Sequence, residues 1–383
     1  MEGSLSLPDA TTRAVTKPHG PNGLVTPGAD EAVVFAGVRK RYDATQALND
    51  TNLTVRRGEF FVMLGPSGSG KTTLLMCLAG FTAPDAGAIR VLGRDITTVE
   101  PHKRNLGVVF QNYALFPHLD VKRNVAYPLK MRGWSRERAM ARVQEVLERV
   151  QLSGYQDRRP HQLSGGQQQR VAVARALAFE PDVLLMDEPL GALDRKLREQ
   201  LQVELHDIQR RTGITVVYVT HDQDEAMTLA DRIAIMCAGD IVQIGTAHEL
   251  YGSPANSFVA AFLGQANLIG VAGQGGSDPR HVVTGDGATV PVANAAELTA
   301  DVHAHALLIR PEGLAATAPD DPARHFDGEI VAVQYLGDRS FIRVRLSDQT
   351  VVLARCAETF DQGCEGARVG LRALDGQARL VRR

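Results

Sequence analysis

The sequence predicts an α/β fold built on a mostly parallel sheet, followed by a smaller all-β domain. Short β-branched apolar runs alternate with helical patterns from residue 32 onward, which is typical of a parallel sheet covered by helices on both faces. After about residue 265 the helical periodicity stops. Short alternating runs in a Gly-rich segment then favour a small β-barrel or sandwich.

The elements are predicted in chain order as follows. Residues 1–30 are rich in Pro, Gly and Thr and are expected to form a flexible tail. An antiparallel addition to the sheet is predicted at 33–35 and 53–55. Strands of the parallel sheet are predicted at 60–64, 107–110, 183–186, 215–219 and 232–236, and helices at 74–79, 135–150, 164–177, 195–211 and 222–229. The C-terminal strands are predicted at 330–333 and 341–346.

Composition limits the classes of function. A chain of 383 residues with 44% hydrophobic residues can bury a large core and is expected to hold two domains. The net charge of −2 gives no basic surface for nucleic acid. The first ten residues carry no secretory signal pattern, and no apolar run approaches the roughly 18 residues of a membrane span. The four cysteines lack paired metal-ligand spacing, and Cys77 and Cys237 are expected to be reduced core residues in a cytosolic protein.

A glycine-rich loop joins the strand at 60–64 to the helix at 74–79, and it reads Gly65-Pro66-Ser67-Gly68-Ser69-Gly70-Lys71-Thr72-Thr73. Glycines let backbone N–H groups turn inward around an anion, and the helix N-terminus adds partial positive charge. Lys71 is expected to reach the β- and γ-phosphates of a nucleotide, with the Thr72 hydroxyl on Mg²⁺. The alternative is a chance glycine-rich turn, which the strand–loop–helix context disfavours.

Two acidic residues end the strand at 183–186. Asp187 at the carboxyl end of a buried parallel strand, near a phosphate loop, is expected to hold Mg²⁺ directly or through water. Glu188 is then placed to take a proton from, or orient, the water that attacks the γ-phosphate. The alternative is that both acids merely terminate a strand before Pro189.

Two further strand ends carry polar side chains. His221 follows the strand at 215–219 and is predicted to contact the γ-phosphate and align the water with Glu188. Gln111 follows the strand at 107–110 and is predicted to ligate Mg²⁺ or sense the attacking water. The alternatives are a helix N-terminal residue beside Asp222 for the histidine and a polar surface loop for the glutamine. Convergence at one edge supports the ligand site, because open α/β sheets bind ligands at strand carboxyl ends.

The pentapeptide Leu163-Ser164-Gly165-Gly166-Gln167 opens the predicted helix at 164–177. Ser164 suits the N-cap, and Gly165 and Gly166 present N–H groups at a helix start. A plain capped helix explains the serine. It does not explain paired glycines, which cost helix stability.

With these motifs in order, the chain resembles the ATP-hydrolysing subunit of an ABC transporter over about residues 33–264. By that resemblance, residues 31–265 form an ABC P-loop cassette with a helical subdomain at about 112–178, and residues 266–383 a TOBE-like, OB-like β domain. The resemblance assigns adenine stacking to Tyr42 and a nucleotide-site role to Asp194, in the turn after Glu188. Gly191 departs from the Ser that many relatives carry in that turn.

The resemblance also implies partners. Two copies would pack head to tail, with ATP and Mg²⁺ between the phosphate loop of one and Ser164, Gly165, Gly166 and Gln167 of the other. Residues 113–119 are either core or the surface that grips a membrane subunit. The expected assembly has two integral membrane permease subunits and a periplasmic or extracellular solute-binding protein, at the cytoplasmic face of the inner membrane.

The segment 102–118 is most similar to importers of spermidine and putrescine, and importers of ferric iron, sulfate and sugar phosphates share much of it. Polyamine is therefore the expected cargo, with those other cargoes left open. A soluble, non-transport ABC ATPase is the rival from another class, but it usually carries two cassettes or a long coiled coil. A kinase is a further rival, and it would not need the pentapeptide 163–167.

Overall fold

The computed structural model describes residues 30–191, 195–275, 278, 280–299, 301–337, 339–356 and 362–383. Residues 1–29 of the predicted tail lie outside the described residues, and so does Asp194. No helix in the described ranges is long and apolar enough to cross a membrane.

The first part of the chain alternates strands and helices. Its elements in order are β1 (Glu31–Tyr42), β2 (Thr45–Arg56), β3 (Phe60–Leu64), α1 (Lys71–Ala79), β4 (Ala86–Val91), β5 (Arg94–Asp95), β6 (Leu106–Val109), α2 (Val121–Met131), α3 (Arg136–Arg149), α4 (Gly165–Leu177), β7 (Val183–Asp187), α5 (Arg195–Thr212), β8 (Thr215–Thr220), α6 (Gln223–Leu229), β9 (Arg232–Cys237), β10 (Asp240–Gly245), α7 (Ala247–Gly252) and α8 (Ser257–Phe262). The predicted elements are confirmed, and their bounds differ by at most two residues except at three places: α1 begins at Lys71, β1 extends to Tyr42, and β2 begins at Thr45.

The central sheet has six strands in the order β10-β9-β3-β8-β7-β6, and only β10 runs antiparallel to its neighbour. Strands β3 and β8 are buried along their whole length, as expected for a sheet covered on both faces. Phe60 and Val62 pack into one core and Phe61 and Met63 into another, because successive side chains point to opposite faces. The predicted mostly parallel sheet is confirmed.

The antiparallel addition is a four-stranded sheet in the order β2-β1-β4-β5. It shares a core with α1 and one face of the central sheet, where Val33 and Phe35 join Leu74 and Leu78. Cys77 is buried in this core, as expected, whereas Cys237 at the end of β9 is only half-buried.

Helices α2, α3 and α4 form a helical segment beside the central sheet and share its first core. Asp120 caps α2 and Ser135 caps α3, each accepting a hydrogen bond from a backbone N–H in the first turn. Asn124 is fully buried, and its amide donates to the carbonyls of Phe116, Leu119 and Asp120. These bonds fix the loop that connects β6 to α2.

The C-terminal part is all-β among the described residues apart from short 3₁₀ turns. Its strands are β11 (Asn267–Gln274), β12 (His281–Thr284), β13 (Thr289–Pro291), β14 (His305–Ile309), β15 (Leu314–Thr317), β16 (Phe326–Tyr335), β17 (Ser340–Leu346), β18 (Val351–Cys356), β19 (Arg368–Ala373) and β20 (Ala378–Arg382). They form two five-stranded sheets, β13-β12-β11-β14-β20 and β15-β19-β16-β17-β18, around one shared core. The predicted small β-barrel or sandwich is confirmed.

One arginine joins the two parts. Arg310 follows β14, is 5% exposed and lies 4.1 Å above the ring of Tyr251 on α7. Its guanidinium donates to the carbonyl oxygens of Ala260 at 2.7 Å and Gln265 at 3.2 Å. The Tyr251 hydroxyl donates to the Glu312 carboxylate at 2.6 Å. These bonds fasten the β domain to the last two helices of the first part.

Candidate functional site

The glycine-rich loop connects the carboxyl end of β3 to the start of α1. Gly70 caps α1 with a φ of +100°, in the left-handed region that favours glycine. A Cβ on Gly65 would lie 2.2 Å from the carbonyl oxygen of Met236, and one on Gly70 would lie 2.5 Å from that of Ala47. The loop can therefore take this path only with glycine at both positions.

Lys71 lies inside the curve of this loop. Its Nζ donates to the carbonyl oxygens of Gly65 at 2.8 Å and Pro66 at 2.9 Å, and to the Ser69 hydroxyl at 3.3 Å. Burial lowers the pKa of Lys71, while the charges of Glu188 and Asp187 raise it. A buried ammonium held beside the N-terminus of α1 makes this loop suited to bind an anion.

Asp187 ends β7 next to the glycine-rich loop. Thr72 Oγ1 donates to Asp187 Oδ1 at 3.3 Å, so the two side chains meet across the sheet edge. Burial raises the pKa of Asp187, and the hydrogen bond from Thr72 lowers it. A partly desolvated carboxylate beside a second acid favours a neighbouring cation. One hydroxyl and one carboxylate fit Mg²⁺, which commonly takes one or two carboxylates together with substrate phosphates.

Glu188 follows β7 and contacts polar side chains from two other strand ends, His221 and Gln111. Its Oε1 is 2.9 Å from His221 Nδ1, and its Oε2 accepts from Gln111 Nε2 at 3.5 Å. Asp187 on β7 pairs with Val219 on β8, and this register brings Glu188 beside His221. Glu188 has a φ of +44°, and its backbone N–H donates to the Val219 carbonyl at 3.0 Å. The residue is held in a left-handed conformation that aims its side chain along the edge.

Tyr42 lies at the end of β1 and is 46% exposed. Its hairpin contacts the glycine-rich loop through Ala47, and Asn49 N donates to the Gly239 carbonyl at 3.1 Å. The Tyr42 ring is therefore an exposed aromatic surface on a hairpin that touches the phosphate loop.

The pentapeptide 163–167 begins α4 in the helical segment. Ser164 is the N-cap, and its hydroxyl accepts from Gln167 N at 3.3 Å while Gln167 Oε1 accepts from Ser164 N at 3.0 Å. This is the predicted N-cap, with a reciprocal capping box. Ser164 is exposed, and the N–H groups of Gly165 and Gly166 have no intrahelical carbonyl to bond. No hydrogen bond within the described part of the chain joins this pentapeptide to residues 65–73.

The structure brings the predicted strand-end residues together, whereas the predicted pentapeptide 163–167 lies apart from them. The cluster at the carboxyl ends of β3, β6, β7 and β8 contains Lys71, Thr72, Gln111, Asp187, Glu188 and His221. Ser164, Gly165, Gly166 and Gln167 lie elsewhere on α4.

Two polar contacts near the site were not predicted from the sequence. Arg175 on α4 donates to the carbonyls of Tyr113 at 2.9 Å and Ala114 at 2.7 Å, in the loop after Gln111. Tyr113 and Ala114 both have positive φ, so the arginine fastens a strained loop to the helix that begins at the pentapeptide. No pattern in the local sequence indicates this long-range pair.

The second is a buried group behind His221. Glu225 is 1% exposed, and its carboxylate accepts from the hydroxyls of Tyr218 and Thr220. The start of an acidic helix at 222–225 is visible in the sequence. Its pattern indicates a helix cap, whereas the burial of Glu225 depends on the fold.

Comparisons with known proteins agree with this geometry. Residues 48–191 match the ABC transporter family, and residues 307–381 match the TOBE domain. The spermidine/putrescine import ATP-binding protein PotA of Chromobacterium violaceum is 45% identical over 343 residues, which are 85% of this chain and 93% of that protein. The protein of the same name from Roseobacter denitrificans is 48% identical over 307 residues, 78% of this chain and 82% of that protein.

Solved structures give the same fold for the first part. The cbiO1 protein of Clostridium perfringens, part of the ABC transporter complex cbiONQ, is 30% identical with a TM-score of 0.54, and the match covers 57% of this chain and 90% of that chain. A dimeric ATP-binding cassette in a post-hydrolysis state, bound to ADP and Pi, is 34% identical with a TM-score of 0.50, covering 56% of this chain and 98% of that chain.

Proposed function

Because this chain belongs to the ATP-binding subunits of ABC transporters, an ATP-hydrolysing family, we propose that it powers the import of spermidine or putrescine through separate membrane subunits. The observation that carries the ATPase part is the cluster of Lys71, Thr72, Asp187 and Glu188 at one sheet edge. The cargo rests on the relatives named above, which match along most of this chain.

In the proposed reaction, Glu188 removes a proton from a water molecule as its oxygen attacks the γ-phosphorus of ATP. The bond between that phosphorus and the β–γ bridging oxygen breaks, and ADP and phosphate are the products. Support comes from the ionisable pair that His221 forms with Glu188 at 2.9 Å, because a general base works best when a second group fixes its direction. Gln111, on the other oxygen of Glu188, limits its rotation.

Different residues at this sheet edge are proposed to contact the phosphates, the adenine and Mg²⁺. Lys71 and the backbone N–H groups of residues 65–73 other than Pro66 bind the phosphates, and Tyr42 stacks on the adenine. Thr72 and Asp187 are the residues suited to Mg²⁺, with Gln111 as a third candidate. When bound, Mg²⁺ neutralises charge on the β- and γ-phosphate oxygens.

The site is proposed to be completed by a second copy. Ser164 is exposed, Gly165 is partly exposed, and the N–H groups of Gly165 and the buried Gly166 have no intrahelical partner, so this helix start is suited to phosphate. No hydrogen bond in the described ranges ties it to residues 65–73. A head-to-tail pair would bring this surface and Gln167 of one copy onto the ATP of the other. The dimeric cassette reported above is bound to ADP and Pi, which supports this arrangement.

The assembly proposed for transport adds two membrane permease subunits and a periplasmic or extracellular solute-binding protein. The chain would then lie at the cytoplasmic face of the inner membrane. A surface suited to a membrane subunit is the loop after Gln111, where the ring of Phe116 lies 4.5 Å from that of the exposed Tyr127 on α2, at an angle of 44°. Such partly exposed aromatic groups are enriched at protein interfaces.

Uptake tests this proposal. Cells that lack the gene are complemented with the wild-type chain or with Glu188→Gln, and uptake of radiolabelled spermidine, putrescine, sulfate, ferric iron and a sugar phosphate is measured. We expect the wild-type chain to restore polyamine uptake and Glu188→Gln to leave it absent. If the wild-type chain restored uptake of another solute instead, the assignment of polyamine as the cargo would be wrong. Uptake with Glu188→Gln at the wild-type rate would refute the role of ATP hydrolysis.

A further inference from the structure

A buried carboxylate lies directly behind the catalytic edge. Glu225, in the first turn of α6, accepts from Tyr218 Oη at 2.7 Å and from Thr220 Oγ1 at 2.8 Å, both on the same oxygen. Its other oxygen lies 3.7 Å from Arg198 Nε. Burial raises the pKa of Glu225, while the two hydroxyl donors and the charge of Arg198 lower it.

These contacts hold the backbone on both sides of His221. On one side, the Thr220 hydroxyl donates to Glu225. On the other side, Asp222 N donates to Thr220 Oγ1 at 3.0 Å, and Asp222 Oδ1 caps α6 by accepting from Glu225 N at 3.1 Å. His221 itself is more than half exposed, so its direction depends mainly on its two neighbours and on Glu188.

Arg198 connects this network to a different element. It lies in the first turn of α5, and its Nη1 donates to Asp222 Oδ2 at 2.8 Å. The planar guanidinium therefore spans two carboxylates of α6, which a lysine ammonium does with poorer geometry. Because α5 follows the turn after Glu188, a shift of this helix would move Asp222 and Glu225 together.

A small cavity of about 20 Å³ separates Arg198 and Glu225 from the proposed catalytic residues Glu188 and His221. It is lined by Glu188 and His221 on one side and by Arg198 and Glu225 on the other. This volume and polar lining suit one water molecule, which needs at least about 10–15 Å³ and two to four polar partners. Water in this position would link the two pairs of side chains by hydrogen bonds.

We infer that Arg198 and Glu225 are positioning residues that keep His221 aligned with Glu188. This inference rests on the roles proposed for those two residues. Neither Arg198 nor Glu225 contacts the nucleotide in this proposal; they act through His221. The physical reason is that a misplacement of about 1 Å in a catalytic group can lower a rate about a hundredfold. A rigid support behind an exposed histidine prevents such a displacement.

A double-mutant cycle tests the inference on the full chain. Single-turnover hydrolysis of [γ-³²P]ATP is measured for wild type, Arg198→Ala, His221→Ala and the double variant. We expect Arg198→Ala to lower the rate about tenfold or more, with the dissociation constant for ATP changed by no more than about twofold. In the His221→Ala background, the same substitution should change the remaining rate by no more than about twofold, because its target is gone.

Three further variants separate positioning from folding. Arg198→Lys keeps the charge but reaches the two carboxylates with poorer geometry, so its rate should lie between those of Arg198→Ala and wild type. Glu225→Gln, which keeps the shape, should lower the rate in the same non-additive way with respect to His221. Arg149→Ala removes an arginine from an exposed pair with Glu145 and serves as the matched control, expected at the wild-type rate.

Two results would overturn the inference: a wild-type rate in Arg198→Ala, or the same fold loss with and without His221. If His221→Ala itself hydrolyses ATP at the wild-type rate, the proposed role of His221 is wrong as well. A slow His221→Ala together with a normal Arg198→Ala would refute the inference alone.

Discussion

The replacement Glu188→Gln removes one charge from the centre of the strand-end cluster and keeps the shape of the side chain. The amide can still accept from Gln111 or His221, so the contacts at 3.5 and 2.9 Å lose strength without a steric change. A general base contributes roughly a hundredfold to ten-thousandfold in rate. That factor corresponds to about 3–5 kcal/mol in the activation free energy.

The same replacement is expected to leave ATP binding intact. Lys71, which holds the loop through Gly65 and Pro66, is unchanged, and loss of the negative charge of Glu188 reduces repulsion toward the phosphates. The variant should therefore accumulate as an ATP-bound dimer.

The assay combines phosphate release at saturating ATP with size-exclusion chromatography of the nucleotide-bound protein. Glu148→Gln on the exposed face of α3 is the matched control and should behave as wild type. Phosphate release by Glu188→Gln at the wild-type rate would refute the role of Glu188. A variant that no longer binds ATP would refute the account of binding.

Three other predictions test single features of the structure. Burial raises the pKa of Asp187, so the ionised carboxylate costs more free energy in the folded chain than in the unfolded chain, and this cost is lost as the pH falls through the raised pKa. Asp187→Asn should therefore raise the melting temperature of the nucleotide-free chain at pH 7, measured by calorimetry, while Mg²⁺ no longer supports hydrolysis. Gly65→Ala places a Cβ 2.2 Å from the Met236 carbonyl and should weaken ATP binding by roughly tenfold, about 1.4 kcal/mol, whereas Gly252→Ala, which meets open space, should not. Arg310→Ala removes buried, charge-assisted hydrogen bonds to the carbonyls of Ala260 and Gln265. At about 1.5–3 kcal/mol for each charged bond, the substitution should lower the unfolding temperature or split the unfolding transition in two. A single unchanged transition would show that these bonds do not stabilise the β domain.

The central parallel sheet could be predicted from the sequence because β3 and β8 are continuous apolar runs between glycine-rich or polar turns. The clustering of polar side chains at the strand ends could be predicted as well. Parallel strands bring Gln111, Glu188 and His221 to one edge whatever the details of packing.

Side-chain contacts that depend on the tertiary fold could not be predicted from the sequence. The burial of Glu225 depends on α6 packing over β8, and the bonds from Arg175 to Tyr113 and Ala114 cross 62 and 61 residues. Local patterns report periodicity and caps, which are set by neighbours in sequence. Pairs of this kind form only when the tertiary fold exists.

In the proposed dimer, the exposed helix start at Ser164 completes the ATP site of a second copy. The most direct measurement mixes two inactive chains, Ser164→Arg and Lys71→Ala, and follows ATP hydrolysis against the mixing ratio. In a mixed dimer, the intact Lys71 of the first chain meets the intact Ser164 of the second, so one of two composite sites is whole. Activity is expected to appear on mixing and to be greatest near equal amounts. Mixtures that stay inactive at every ratio, although mixed dimers form, would contradict this role of Ser164.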